Sequence, residues 1–313
     1  MIRFAVRRLF TTLPTLFIVT VLVFALVHLL PGDPARIMLG EGATPEAVTA
    51  LRKKLGFDRS IPEQYLHWIG NVVQLDLGNS TRNIPVTTLI AEKLPITLEL
   101  ALLATLLSVI IAVPAGLISA LKPGGYGDRT MTLVALCGIS LPTFFAGILL
   151  IYLFSIHLAW LPAGGYVSFF TSPLKNLTLM ILPSITLGAF SAAVLSRYMR
   201  SSMLEAMSQD YIRTASAKGA RAFTIIVKHG LRNALVPVVT ALGLQLGTLL
   251  GGAVVTEQIF SVPGFGNLLV YSVYNRDFLV IQGLVLVIAL AVFLVSFLVD
   301  VAYAAIDPRI RYQ

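Results

Sequence analysis

The chain holds 313 residues, of which 57% are hydrophobic and 12% charged, with a formal net charge of +8. Soluble domains carry roughly 25% charged residues, so these figures exclude an ordinary water-soluble globule and point to lipid as the surrounding solvent. The one cysteine, Cys137, cannot form an internal disulfide and reads as a small buried hydrophobe.

Arg3, Arg7 and Arg8 precede an apolar run of 22 residues, Leu9 to Leu30. That run exceeds the usual 7–15 of a cleaved signal, and Pro31-Gly32-Asp33-Pro34 follows it in place of a small-residue cleavage site. It is expected to be an uncleaved first span. Residues 31–93 are expected to carry two short helices. Ala47–Leu55 has apolar residues at helical spacing, with Thr44 as cap, Pro45 at the first position and Gly56 as the stop. Ile61–Val73 places Tyr65, Trp68 and Ile69 on one face, and its two aromatics suit a membrane interface. Together these helices predict a small external cap.

A spanning helix needs about 20 mostly apolar residues. Five more stretches satisfy this: Leu94–Leu121, Met131–Leu158, Leu177–Met199, Leu235–Val255 and Leu279–Ala304. Pro142 and Pro183 interrupt the third and fourth spans. The expected fold is an all-α integral membrane protein with six transmembrane helices. It divides into a first helix (1–30), the cap segment (31–93), a five-helix core (94–304) and a tail (305–313).

The basic residues set a direction. With the N-terminus in the cytoplasm, the inner side holds 14 Lys/Arg against 4 acids, and the outer side holds 9 of each. This asymmetry follows the positive-inside rule and argues against nucleic-acid binding. Both termini are then cytoplasmic. Residues 31–93, 159–176 and 256–278 face outward, whereas 122–130 and 200–234 face inward.

The inner segment 200–234 contains Asp210-Tyr211-Ile212-Arg213-Thr214-Ala215-Ser216-Ala217-Lys218-Gly219. Ser208 or Asp210 suits a helix start and Gly219 a stop. The helix between is too short and polar to span. The motif resembles the coupling helix of ABC importer permeases, whose common form is Glu-Ala-Ala, three residues, then Gly. Arg213-Thr214-Ala215 occupies the Glu-Ala-Ala positions and Gly219 the glycine. Only Ala215 and Gly219 coincide, and Pro237 lies farther on than usual. Those departures resemble the dipeptide, oligopeptide and nickel branch. So do Pro31-Gly32-Asp33-Pro34, Phe260-Ser261-Val262-Pro263-Gly264-Phe265-Gly266, Asn275-Arg276-Asp277 and Asp307-Pro308-Arg309-Ile310-Arg311. The resemblance runs end to end, and within the branch it is strongest to permeases of glutathione and small-peptide importers.

The resemblance implies a non-catalytic translocation subunit in a bacterial inner membrane. It would pair with a second, related permease or a copy of itself, two ABC ATPase subunits carrying ATP and Mg, and an external binding protein that delivers substrate. Residues 208–219, with Asp210, Tyr211, Arg213, Thr214, Ala215, Ala217, Lys218 and Gly219, would couple to the ATPase. The loop 257–277 would gate and dock the binding protein, with Arg276 and Asp277 as candidate contacts. This chain itself would bind no cofactor. No Gly-x-x-x-x-Gly-Lys-Ser/Thr phosphate loop occurs in the sequence.

Other residues are candidates on their own chemistry. Glu99 lies about one turn inside the second span, where an ionisable group is costly and a functional candidate by default; reaching the interface or accepting from Lys93 is the structural alternative. Gln245, Thr248 and Glu257 are polar residues in or just beyond the fifth span and candidates to line the pathway or its gate. Asp300, near the inner end of the sixth span, suits snorkelling or pairing with an arginine. Gly243, Gly247 and Gly251 recur every four residues and offer a smooth face for helix packing. His28, His67, His157 and His229 lack metal-ligand spacing. Rival readings remain a nickel-chelate permease, an ion-coupled secondary transporter and a membrane scaffold.

Overall fold

The computed structural model describes residues 2–29, 34–40 and 42–306, excepting the side chains of residues 2–9, 26, 34, 38, 54, 55, 250, 300 and 302–306. The motif at 31–33, the side chain of Asp300 and the ending 307–311 therefore lie outside the described residues. No strand occurs among the described residues; one isolated bridge joins Asn79 and Pro85. In chain order the helices are α1 (Ile2–Leu29), α2 (Pro34–Leu39), α3 (Pro45–Leu55), α4 (Ile61–Val73), α5 (Val86–Leu121), α6 (Tyr126–Ser140) and α7 (Thr143–Leu150). A π-helical stretch, Ile151–His157, extends α7. Then come α8 (Pro173–Ser208), α9 (Asp210–Ala217), α10 (Ala222–Thr224), a second π-helical stretch (Ile225–Leu231), α11 (Arg232–Ile259), α12 (Phe265–Tyr274) and α13 (Phe278–Ile306).

Among the described residues five helical stretches are long and apolar enough to cross a membrane: Phe10–Leu29, Val86–Leu121, Pro173–Ser208, Ala222–Leu249 and Phe278–Val299. The expected third span is instead a pair of helices, Tyr126–Ser140 and Thr143–His157, bent by 109°. The bend has a local cause. Pro142 has no amide hydrogen, and its ring drives Leu141 out of the helical region to φ −80°, ψ 125°. Pro183 behaves oppositely: it is buried inside α8, and that helix runs through it unbroken for 36 residues. Cys137, expected to be buried, is exposed on α6.

The chain forms two compact units. The first comprises residues 97–263 with the end of α13. Its centre is α8, whose buried residues run from Asn176 to Ala206 and which packs on α6, α7 and α11. In lipid, apolar helices gain little from leaving the solvent, so close packing through small residues decides which faces meet. A methyl group at Gly188 would stand 2.6 Å from the Ala104 carbonyl oxygen. One at Gly116 would stand 2.5 Å from the Met199 side chain. Leu195, Met199, Met203, Ala112, Ala234 and Val238 fill the cluster beside these contacts. Gly243 serves the same purpose against Val299 on α13, 2.5 Å from where its methyl would be, whereas Gly251 faces open space.

The second unit comprises residues up to 96 with 264–297. The two short helices follow their sequence signals closely. Thr44 caps α3 by accepting from the Ala47 amide at 3.3 Å. Gly56 ends α3 at φ +76°, a left-handed conformation that costs other residues energy. The Ser60 amide donates to Glu63 at the start of α4. Tyr65 and Trp68 pack on Phe24 of α1, and the Tyr65 hydroxyl meets that of Thr20 at 2.8 Å. Val86, Ile90, Phe265, Val280 and Leu284 form the core of this unit. The segment after Glu257, expected as a turn-rich loop, contains the ten-residue helix α12.

Candidate functional site

Helix α9 is the element that the charged inner segment was expected to contain. It starts without a side-chain cap: Gln209 takes the cap position in extended conformation. Ser208 does not cap it, because its hydroxyl donates back to the Glu205 carbonyl at 2.8 Å. Asp210 does not cap it either; its carboxylate accepts from Arg213 at 3.3 Å, with both side chains almost wholly in solvent. The other end is well built. Gly219 has φ +77°, its amide donates to the Ser216 carbonyl, and the Ala220 amide reaches back to the Ala215 carbonyl. These two bonds satisfy carbonyls that a helix end otherwise leaves unpaired.

One face of α9 anchors it. Ile212, which sequence reasoning passed over, is its only buried residue among those described. The Tyr211 hydroxyl accepts from the Asn233 amide group at 3.0 Å, and Asn233 also donates to the His229 carbonyl. Ala215 is half-buried, while Asp210, Tyr211, Arg213, Thr214, Ala217, Lys218 and Gly219 are exposed. The helix packs on α8 and on the π-helical stretch 225–231. The result is a short strut held at one face, presenting a polar face outward, with one residue between it and α8.

The candidate pathway residues do not converge on one place. Glu257 is wholly buried in α11 and accepts from the Thr97 hydroxyl. Glu99, two residues on along α5, is half-buried; its Oε2 accepts from the Tyr166 hydroxyl at 2.9 Å. Its Oε1 is buried with no hydrogen-bond partner among the described residues. Burial first, and then the bond donated to Glu99, push the Tyr166 phenol up to about 12. Gln245 lies on α11 twelve residues before Glu257, about 18 Å along a helix axis. It is buried, and neither atom of its amide has a partner among the described residues. The Thr248 hydroxyl donates to the Gln245 carbonyl at 2.7 Å.

In the second unit Asp277 and Arg276 part company. Asp277 is buried, and its Oδ2 accepts from both the amide (2.9 Å) and the hydroxyl (3.0 Å) of Thr81. Arg276 stays on the surface with φ +53°. Among the described residues no three His, Cys, Asp or Glu side chains are grouped to hold a metal ion.

Residues 112–312 match the family model of binding-protein-dependent transport system inner membrane components, and residues 1–101 match the model of its N-terminal region. The chain belongs to this family of inner-membrane transport components. Over its whole length it is 46% identical to the glutathione transport system permease protein GsiC of Escherichia coli O6:H1, also covered in full. It is 45% identical, with the same coverage, to the proteins of that name in Escherichia coli K12 and Pectobacterium atrosepticum. Among solved structures, an inward-facing form of the MetNI methionine ABC transporter aligns with a TM-score of 0.58 at 19% identity, over 70% of this chain and 96% of that one. An amino acid ABC transporter crystallised with histidines aligns at 0.54 and 16%, over 70% and 94%. At these identities the likeness is one of fold. The chain is a multi-pass inner-membrane transport component whose fold is like that of these two transporter chains.

Sequence reasoning missed Asp128 and Arg200 as partners. Arg200 Nε donates to Asp128 Oδ1 at 2.7 Å and its second nitrogen to Oδ2 at 2.8 Å. Ser119 also donates to Oδ1, and the Gly124 amide donates to Oδ2 at 2.8 Å. The one signal in the sequence was that Asp128 is a lone acid in a short turn otherwise basic.

Proposed function

We propose that this chain is a transmembrane subunit of an ATP-driven importer for small peptides, glutathione among them. It works beside a second permease, two ATPase subunits that carry ATP and Mg, and an external binding protein. The bent pair α6–α7 serves as one span, giving six in all, with α3 and α4 as an external cap and both termini in the cytoplasm. The full-length identity to glutathione permeases supports the substrate class.

The observation that carries the coupling role is the build of α9. A strut of eight residues, anchored by Ile212 and the Tyr211–Asn233 bond and stopped sharply at Gly219, transmits a push as rigid-body motion to α8 and α11. A flexible loop would absorb it. Its exposed residues Arg213, Thr214, Ala217 and Lys218, with Asp210, form the face that enters the ATPase, and Tyr211 ties that face to α11 through Asn233. ATP closure there biases the permease between two states. Glu99, Glu257, Gln245 and Thr248 border the pathway or its gate. Arg276 lies on the surface that receives the binding protein, and Asp277 fixes the backbone beneath it through Thr81.

The test is Gly219→Trp in membrane vesicles containing the full assembly. A side chain at φ +77° is strained whatever the space around it. Chain level is expected to stay near wild type and ATP hydrolysis to persist, while ATP-dependent uptake of glutathione or a dipeptide falls by an order of magnitude or more. Normal uptake at normal assembly levels would sink the coupling role.

A further inference from the structure

We infer that the cleft between α6 and α8 binds the headgroup of an anionic phospholipid from the leaflet on the α9 side. The cleft has a volume of about 1030 Å³ and is lined by Arg129, Arg197, Arg200 and Tyr198, with Leu133 and Val194. Its charge is distributed unevenly. Arg200 is held by both its donor groups on Asp128, whose oxygens are further occupied by Ser119 and Gly124. Arg129 and Arg197 are exposed and make no ion pair among the described residues. Two uncommitted guanidinium groups thus stand beside a third that is locked in place. A guanidinium fork matches a phosphate in both charge and geometry.

The walls decide between a lipid and a soluble anion. Helix α6 leads away from the turn at 122–125, so Leu133 lies one turn deeper than Arg129. Helix α8 leads toward that same end, so Val194 lies about one turn deeper than Arg197 and Tyr198. Leu133 and Phe190, one further turn down α8, are exposed. Each wall therefore passes from cationic at the mouth to apolar about 5 Å further in, one helical turn. A free phosphate has no use for that gradient. A phospholipid does, because its phosphodiester sits at the interface and its acyl chains continue into the hydrocarbon. Basic clefts between spanning helices are a known setting for such headgroups.

The full chain, extracted from membranes into mild detergent with the subunits that accompany it, is the material for the test. Phosphatidylglycerol and cardiolipin retained after purification are measured by mass spectrometry. Wild type is expected to retain one of them, and Arg129→Gln/Arg197→Gln is expected to retain at least about fivefold less, since each basic side chain near an anionic surface adds a comparable factor. Phosphatidylethanolamine retention should be the same in both. A photoactivatable phosphatidylglycerol in nanodiscs, applied to wild type, should label residues 129–133 and 194–201, a readout that needs no variant. Equal retention in the two proteins would overturn the inference, as would labelling elsewhere. So would displacement of the bound lipid by millimolar inorganic phosphate, which would mark a site for a soluble anion, or cross-linking of this face to another protein chain.

Discussion

Asp128 and Glu99 are carboxylates of the same compact unit, and the protein treats them differently. Asp128 is met by a bidentate arginine, two hydroxyls (Ser119 and Thr132) and a backbone amide, so both its oxygens are fully used. Glu99 is met by a single phenol, and its other oxygen is buried without a partner among the described residues. A saturated carboxylate is a fixed structural joint: it ties the α5–α6 turn to α8 and has nothing left to offer. A carboxylate with an unmet acceptor is costly to keep in a folded chain; under the pathway role proposed for Glu99, a moving part or a passing ammonium group completes the bonding in another state.

This contrast can be broken by substitution. The largest effect is expected at the joint. Asp128→Asn leaves Arg200 facing a neutral amide and should lower the amount of folded chain in the membrane several-fold, measured by immunoblot and fluorescence-detected gel filtration. Adding Arg200→Met should recover part of that loss, because the stranded charge is then removed. A chain level unchanged in Asp128→Asn would show that the joint is dispensable. Glu99→Gln should do the reverse, leaving the chain level near wild type while altering peptide uptake several-fold in vesicles. If it lowers chain level as much as Asp128→Asn does, Glu99 is only another joint.

Smaller effects follow around Tyr166. Tyr166→Phe removes the one donor to Glu99 among the described residues and should cost on the order of 1 kcal/mol, read as a modest drop in thermal stability. The phenol also sets a pH window. Its folded value near 12 lies above the ordinary 10.0, so its contribution to stability is whole below pH 10 and is lost as the pH climbs from 10 to 12. Wild type should therefore lose stability more steeply than Tyr166→Phe across that range, and parallel curves would refute the raised value of the phenol. The smallest effect is expected at Arg213→Ala, whose pairing with Asp210 is fully solvated. It should leave chain level unchanged and weaken uptake alone if α9 meets an ATPase there.

Much of the fold was legible because its signals are local. The Thr44-Pro45 start and Gly56 stop of α3, and the limits Ile61–Val73 of α4, appear in the structure as read. Proline was legible only as an ambiguity: Pro142 breaks a helix and Pro183 does not. The helix α12 was hidden behind Pro263 and Gly264, whose turn signal is real but ends where the helix begins. The site was partly legible. Gly219 announced the end of α9, whereas Ile212 and Asn233, which hold the helix in place, carry no pattern of their own.

The sequence by itself determined that the chain is helical and lipid-embedded and where α9 stops, since composition, apolar run length and a left-handed glycine act within a few residues. Only the tertiary structure decided which polar groups are satisfied. Arg200 and Asp128 are 72 residues apart and Thr97 and Glu257 are 160 apart. Partners so distant in the chain meet only when helices pack, and in lipid that packing is set by the shape of surfaces built from small residues such as Gly116 and Gly188.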